Sequence, residues 1–230
     1  MSAGWLAVLG VGPGDPELLT LKAVARLRAA DVVAFVTPDG RPSLARAIAA
    51  SHLRAGQREI GIDLPMRADP EPGQRAYDDA AERLRAEVDA GRGVALLCEG
   101  DPLLYGSARH LLDRLADLPV EIVPGITSAC AAAAAARWPL GTRDQGFTLI
   151  PATVGRNALI DCLAATDSVA ILKPGKRLAE IREVLRERGW LASAVYAERV
   201  GTSEQRIVPL AELDAETAPY FALVLARRPR

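Results

Sequence analysis

The stretch Leu6-Ala7-Val8-Leu9-Gly10-Val11-Gly12-Pro13-Gly14-Asp15-Pro16 decides the fold. Leu6–Val11 is an unbroken apolar run, as expected of a strand buried in a sheet. Glycines at alternate positions then open backbone conformations closed to other residues and let a ligand approach the main chain. A dinucleotide fingerprint would space its glycines G-x-G-x-x-G and run straight into a helix. Here the third glycine comes one residue early and prolines flank it, so the helix is expected to start at Thr20, which caps Leu21-Lys22-Ala23. By itself the loop also fits a tight turn at a sheet edge.

Outward from it, Val32–Val36, Val94–Cys98 and Val120–Val123 repeat the buried-strand pattern. Leu21–Ala29, Leu44–Ala50, Ala76–Ala90 and Ala108–Leu115 carry helical spacing. The alternation predicts crossover units on a largely parallel sheet, an α/β architecture. After about residue 120 the pattern changes. Phe147–Ile150, Val169–Leu172, Ala194–Glu198, Gln205–Val208 and Tyr220–Ala226 read as strands with fewer helices between them, and the last have the short connections of antiparallel neighbours. A boundary is expected near Asp117–Pro119, with an α/β domain over 1–117 and an α+β domain over 118–230. Met66–Gly73 is the most loop-like segment and a candidate mobile lid.

Composition narrows the function classes. The chain has 230 residues and a formal net charge of −1, which gives no general attraction to nucleic acid or to an anionic membrane. Lysine occurs only at Lys22, Lys173 and Lys176, so positive charge is carried by arginine, for most positions a matter of composition. Cys98, Cys130 and Cys162 are far apart and far from His52 and His110, so neither a zinc motif nor a disulfide framework is expected. There is no basic segment followed by an apolar one at the start, and the alanine-rich run Ala129–Ala136 is too short to span a bilayer. A cytoplasmic protein without a metal is expected.

Two further stretches carry chemistry. Cys98-Glu99-Gly100-Asp101-Pro102-Leu103-Leu104-Tyr105-Gly106 follows a buried strand, where open α/β sheets hold ligands. Its two acids suit hydroxyls or an ammonium group; an anion would want bare amides and a basic side chain. The bland alternative is that Asp101 caps the next helix. Val123-Pro124-Gly125-Ile126-Thr127-Ser128 leads into the alanine-rich helix, with Thr127 or Ser128 as a natural N-cap.

In this order and spacing the three stretches resemble the tetrapyrrole methylases, the class III methyltransferases, over essentially the whole chain. The family opens with a loop like GVGPGD and a segment like LLTLKA, continues with a GDP loop and PGITS, and closes with a strand like PYFALVLA. The resemblance implies a two-domain fold with a mainly parallel N-terminal sheet and a mixed C-terminal sheet. It also implies S-adenosyl-L-methionine in the cleft between the domains, a tetrapyrrole substrate and a homodimer. GDPELLTLKAV at 14–24, RPSLARAIA at 41–49, LPM at 64–66, Tyr77, CEGDPLLYGS at 98–107 and Glu198-Arg199 are similar to the branch that methylates precorrin-2 at carbon 20 in cobalamin synthesis. Glu99 replaces the first of two glycines common elsewhere in the family and fits that branch. The enzymes that make precorrin-2 usually carry an aspartate after the second strand. Here Ala34-Phe35-Val36-Thr37-Pro38 lacks it.

Carried over residue by residue, the resemblance puts Pro13, Glu99, Gly100, Asp101, Leu104, Thr127 and Ser128 on the donor. Leu172 and Lys173 match a stretch lining the adenosyl pocket, where Lys173 departs from the usual apolar residue. Gly201 and Ala222 approach adenine through their backbones. A carboxylate-rich macrocycle calls for guanidinium forks, for which Arg41, Arg46, Arg109 and Arg143 are candidates. Tyr77 and Tyr105 are further candidate substrate contacts. No side chain identifies itself as the base that removes the proton. The rivals are a cobalt-factor II or precorrin-4 methyltransferase, a nicotinamide oxidoreductase, which Val36-Thr37-Pro38 disfavours, and a non-catalytic tetrapyrrole carrier.

Overall fold

The computed structural model describes residues 3–65 and 71–229. It divides into two compact units, Met1–Thr127 and Ser128–Arg230. In the first, β1 (Trp5–Gly10), α1 (Leu21–Ala29), β2 (Val32–Pro38), α2 (Leu44–Ala49), β3 (Arg58–Leu64), α3 (Glu71–Asp89), β4 (Gly93–Cys98), α4 (Ala108–Arg114) and β5 (Val120–Val123) follow in order. The sheet runs β3-β2-β4-β1-β5, and every pairing in it is parallel.

Side-chain parity splits its core in two. Leu6, Val8, Ala34 and Leu96 point to the face covered by α3 and α4, where Leu84 and Leu111 join them. Ala7, Leu9, Val33 and Leu97 point to the other face, against Leu27 of α1 and Ile48 of α2. Each strand of the pair β1 and β4 is therefore buried on both sides, which is why both read as continuous apolar runs. Thr20 caps α1 as expected, its hydroxyl accepting from the Ala23 amide at 3.1 Å, and Ser43 caps α2.

The topology fixes where a crevice opens. From β1 the chain crosses over β4 to reach β2; from β4 it crosses over β1 to reach β5. The two connections leave neighbouring strands in opposite directions, and that divergence is the switch point at which doubly wound sheets take up ligands. GVGPGD and CEGDP are the two loops that leave there.

The second unit contains α5 (Ser128–Ala135), β6 (Phe147–Pro151), α6 (Arg156–Ala165), β7 (Ser168–Leu172), α7 (Leu178–Glu187), β8 (Ala194–Glu198), β9 (Arg206–Pro209) and β10 (Ala222–Arg227). Its sheet runs β6-β7-β10-β8-β9. β6 and β7 are parallel, while β10 is antiparallel to β7 and to β8, and β8 to β9. Leu159 and Leu163 of α6 and Leu178, Ile181 and Leu185 of α7 pack with Val169, Ile171, Tyr196 and Val224. The alanines of α5 keep that helix thin where it lies against β10.

Two expectations need correction. The first unit extends to Thr127 rather than residue 117, because β5 pairs with β1 and completes the first sheet. The second unit is α+β as expected, its helices including the ten-residue α6 and α7. Of the expected lid Met66–Gly73, Met66–Pro70 lie outside the described residues, while Glu71-Pro72-Gly73 form the first turn of α3. Proline at that position costs the helix no hydrogen bond.

Candidate functional site

At the carboxyl ends of β1, β4 and β5 three loops meet backbone to backbone. Val11 N–H donates to Cys98 O at 2.9 Å, and Gly12 and Gly100 form an antiparallel bridge with bonds of 3.3 and 2.8 Å. A Cβ on Gly125 would lie 2.0 Å from the Gly100 carbonyl oxygen, and one on Gly10 would lie 2.5 Å from the Gly125 nitrogen. No other residue fits at either place. Gly12 (φ 80°) and Gly100 (φ 64°) also need left-handed backbone.

Asp101 ties this node together. Its Oδ1 accepts from the Leu103 amide at 2.9 Å and its Oδ2 from the Gly125 amide at 3.0 Å. The first bond makes a local turn and not the cap of α4, which starts only at Ala108. Glu99, by contrast, is half-buried and has no hydrogen-bond or ion-pair partner among the described residues. Burial, with the charges of Glu99 and Asp101 added, pushes the Cys98 thiol far above its ordinary range. Leu103, Leu104, Tyr105 and Ile126 stand exposed on the same loops, Leu103 at 63%. Tyr105 sits in the left-handed region (φ 53°). Pro13 directly follows the Gly12–Gly100 bridge, and Thr127 closes the loop that Gly125 anchors.

The second unit gathers Leu172, Lys173, Gly201 and Ala222 at one end of its sheet. Strands β7 and β8 finish where β10 starts, with Leu172 opposite Leu223 and Glu198 opposite Ala222. Lys173 N–H donates to Ala222 O at 3.1 Å and Arg199 N–H to Phe221 O at 2.8 Å. Both donors are left-handed without being glycine, Lys173 at φ 55° and Arg199 at φ 49°. The Lys173 ammonium lies 5.1 Å from the centroid of Tyr220, whose ring meets Phe221 edge-on. The Gly201 amide donates to the Gln205 side-chain oxygen at 2.9 Å. The Tyr196 hydroxyl donates to Glu198, and burial followed by that bond raises the phenol well above its ordinary value. Ser128 opens α5.

The candidate substrate contacts fare unevenly. Tyr77 is 5% exposed in the core of the first unit, stacked on His110 at 4.7 Å with Arg114 over its ring, so packing accounts for it. The Arg46 fork is spent on Glu59 through bonds of 3.2 and 2.8 Å. That pairing raises the guanidinium and lowers the carboxyl. Arg41 bonds Pro38 O and Asp39, and Arg109 lies 3.6 Å from Asp113, one helical turn away. Arg143, left-handed at φ 55°, makes no ion pair among the described residues and keeps an open fork. The Tyr220–Phe221 pair was missed by the sequence reading, which took both as strand. The described residues contain no cluster of three or more His, Cys, Asp or Glu able to hold a metal, and no helix long and apolar enough to cross a membrane.

A sequence model of the family described as Tetrapyrrole (Corrin/Porphyrin) Methylases matches residues 6–214, and the chain belongs to that family. Among its curated relatives, the Sinorhizobium sp protein named precorrin-2 C(20)-methyltransferase is 39% identical, over 98% of this chain and 96% of that one. The Mycobacterium tuberculosis (strain ATCC 25618 / H37Rv) cobalamin biosynthesis protein CobIJ is 43% identical over 98% of this chain but only 46% of its own. The chain thus spans about half the length of that relative. Of solved structures, uroporphyrin-III C-methyl transferase from Thermus thermophilus complexed with S-adenyl homocysteine matches with a TM-score of 0.70 and 27% identity. The match covers 97% of each chain, and the two-sheet α/β fold is shared.

Proposed function

We propose that this protein transfers a methyl group from S-adenosyl-L-methionine to carbon 20 of precorrin-2, giving precorrin-3A in cobalamin synthesis. The observation that carries the reading is the end-to-end match to the Sinorhizobium enzyme, with neither chain left substantially uncovered. The geometry of each unit supports it. The first offers a crevice at the switch point of its sheet, with a carboxylate, Glu99, that has no partner among the described residues. An unpaired half-buried carboxylate favours a ligand that brings N–H or O–H donors, which the methionine ammonium and ribose hydroxyls of the donor supply.

S-adenosylmethionine brings an electrophilic methyl on a sulfonium, and the chain's own residues bind, align and dehydrate it. A sulfonium loses its charge in the reaction, so a carboxylate against sulfur would stabilise the ground state more than the transition state. Glu99 therefore serves the ammonium or ribose, away from sulfur. Pro13, Gly100, Leu104, Thr127 and Ser128 line the donor beside it. Leu172, Lys173, Gly201 and Ala222 take the adenosyl end, where the small Gly201 and Ala222 let the base meet backbone. Leu103, Leu104, Tyr105 and Ile126 give the loops an apolar rim suited to excluding water over a macrocycle, and alignment of carbon, methyl and sulfur is the main barrier lowered. The open fork of Arg143, then Arg41 and Arg109, are the carboxylate anchors. In this reading the protein is a cytoplasmic homodimer.

The test is incubation of the enzyme with methyl-labelled donor and precorrin-2, followed by carbon NMR of the product. Label at carbon 20 is expected. Label elsewhere moves the chain to another branch of the family, and turnover of cobalt-loaded substrate alone assigns it to the anaerobic route. Titration with S-adenosylhomocysteine is expected to give low-micromolar binding, about −8 kcal/mol. No detectable heat would overturn the reading.

A further inference from the structure

The two acids of the CEGDP loop stand two residues apart in opposite situations. Glu99 has no protein partner among the described residues, whereas each oxygen of Asp101 already accepts a backbone N–H, from Leu103 at 2.9 Å and from Gly125 at 3.0 Å. Gly125 lies 24 residues further along the chain, at the end of the neighbouring strand β5. That bond crosses the place where a Cβ on Gly125 would come within 2.0 Å of the Gly100 oxygen. Both partners of Asp101 are donors, so the side chain needs an acceptor on each terminal atom. An ionised carboxylate provides that; an amide has one acceptor and would turn its NH2 toward the other N–H.

We infer that Asp101 is a positioning residue: its carboxylate is committed to the polypeptide and fastens the β4 loop to the β5 loop, so that Glu99, Leu104 and Thr127 stand where the methyl donor needs them. This rests on the donor-site reading above, and it separates two residues that the sequence presents as equivalent. Asp101 acts on the donor through the backbone, and Glu99 touches it.

The experiment pairs variants with truncated ligands. S-adenosylhomocysteine, its desamino analogue and its deoxyribose analogues are titrated into the wild-type protein, Glu99→Gln and Asp101→Asn. The wild-type protein is expected to discriminate against at least one truncated ligand. Glu99→Gln is expected to lose that discrimination to within about twofold, as a direct contact must. Asp101→Asn is expected to weaken all the ligands by a common factor of about ten, with the discrimination intact. In the ligand-free protein the Gly125 amide is expected to exchange with solvent at least about tenfold faster in Asp101→Ala, which removes both side-chain acceptors. If Asp101→Asn is too unstable to titrate, Asp101→Ser keeps a short acceptor for Leu103 while falling short of Gly125, and serves in its place.

Loss of discrimination in Asp101→Asn would overturn the inference, since the carboxylate would then be a ligand contact. Unchanged Gly125 exchange would overturn it equally. Failure of the wild-type protein to bind S-adenosylhomocysteine would instead sink the donor-site reading, and the exchange measurement would still decide whether Asp101 holds the node.

Discussion

Each unit brings strand ends to a rim of candidate ligand residues, and the two make their turns with different residues. In the first, left-handed backbone at the point of contact falls on Gly12 and Gly100, with Tyr105 left-handed farther along the β4 loop where the space is open, and Gly10 and Gly125 close the contact. In the second, Lys173 and Arg199 adopt left-handed backbone with full side chains at the strand ends themselves, near the left-handed glycines Gly175 and Gly201. Left-handed backbone costs a non-glycine residue roughly 1–2 kcal/mol. Glycine is obligatory where another backbone segment passes within bonding distance. Where the space is open, a side chain can be kept at a cost, and such strain gathers where the side chain is useful. Lys173 places its ammonium over Tyr220 at the end of β10.

The largest effect expected from breaking this contrast is at Gly125. Gly125→Ala puts a methyl 2.0 Å from a backbone oxygen with no flexible neighbour to yield. It should cost about 3 kcal/mol, read from the denaturation midpoint, as overpacking against fixed structure does. A cost below about 1 kcal/mol would mean that the loops separate readily. Next, Gly100→Ala, with φ 64° but nothing closer than 3.9 Å, should cost about 1–2 kcal/mol from backbone strain alone. Lys173→Gly runs the opposite way: relief of strain against the freedom glycine adds to the unfolded chain leaves it within about 1 kcal/mol of neutral. Its measurable loss should be in affinity for the donor. A Lys173→Gly that destabilises as much as Gly100→Ala would erase the distinction between the units.

The smallest effect concerns acid. Hydrogen bonds from Arg46 to Glu59, from Arg85 to Asp117, and from Lys22 then Arg26 to Glu121 hold these carboxyls below their ordinary values, all in the first unit. In the second, Arg177 does this for Glu180. A carboxyl with a depressed folded value stabilises the fold fully above its unfolded value, about 4, and loses that contribution as pH falls through the folded value. Below about pH 4, amide-exchange protection should therefore fade in β1–β5 before β6–β10. All four carboxyls are held by surface pairs of small weight, so the lead is slight. The reverse order would show that these bonds do not govern acid stability.

The first sheet was legible because its inner strands are buried on both faces, and burial writes itself as an unbroken apolar run. β3 was missed for the same reason turned round. It is an edge strand, with Ile60 and Ile62 inward and Glu59, Gly61 and Asp63 exposed, so it alternates. α7 could have been found: Leu178, Ile181, Val184 and Leu185 form a helical stripe, and all four are buried. At the candidate site the glycine loops announced themselves, because close approach restricts the residue type. Tyr77 on His110 and Arg46 on Glu59 did not, because each depends on a partner brought near by the fold from a different element. The difference between Glu99 and Asp101 was likewise invisible, since it turns on an amide 24 residues away.

Cys98 gives this architecture a built-in clock. Its thiol is 7% exposed at the end of β4, directly behind the glycine node, and burial keeps it protonated and unreactive. Alkylation at that sulfur must wait for β4 and its neighbours to part, whereas Cys130 on the surface carries no such delay. The rate at which a thiol reagent consumes Cys98 therefore counts the moments when the strand ends come undone, with no label added to the protein.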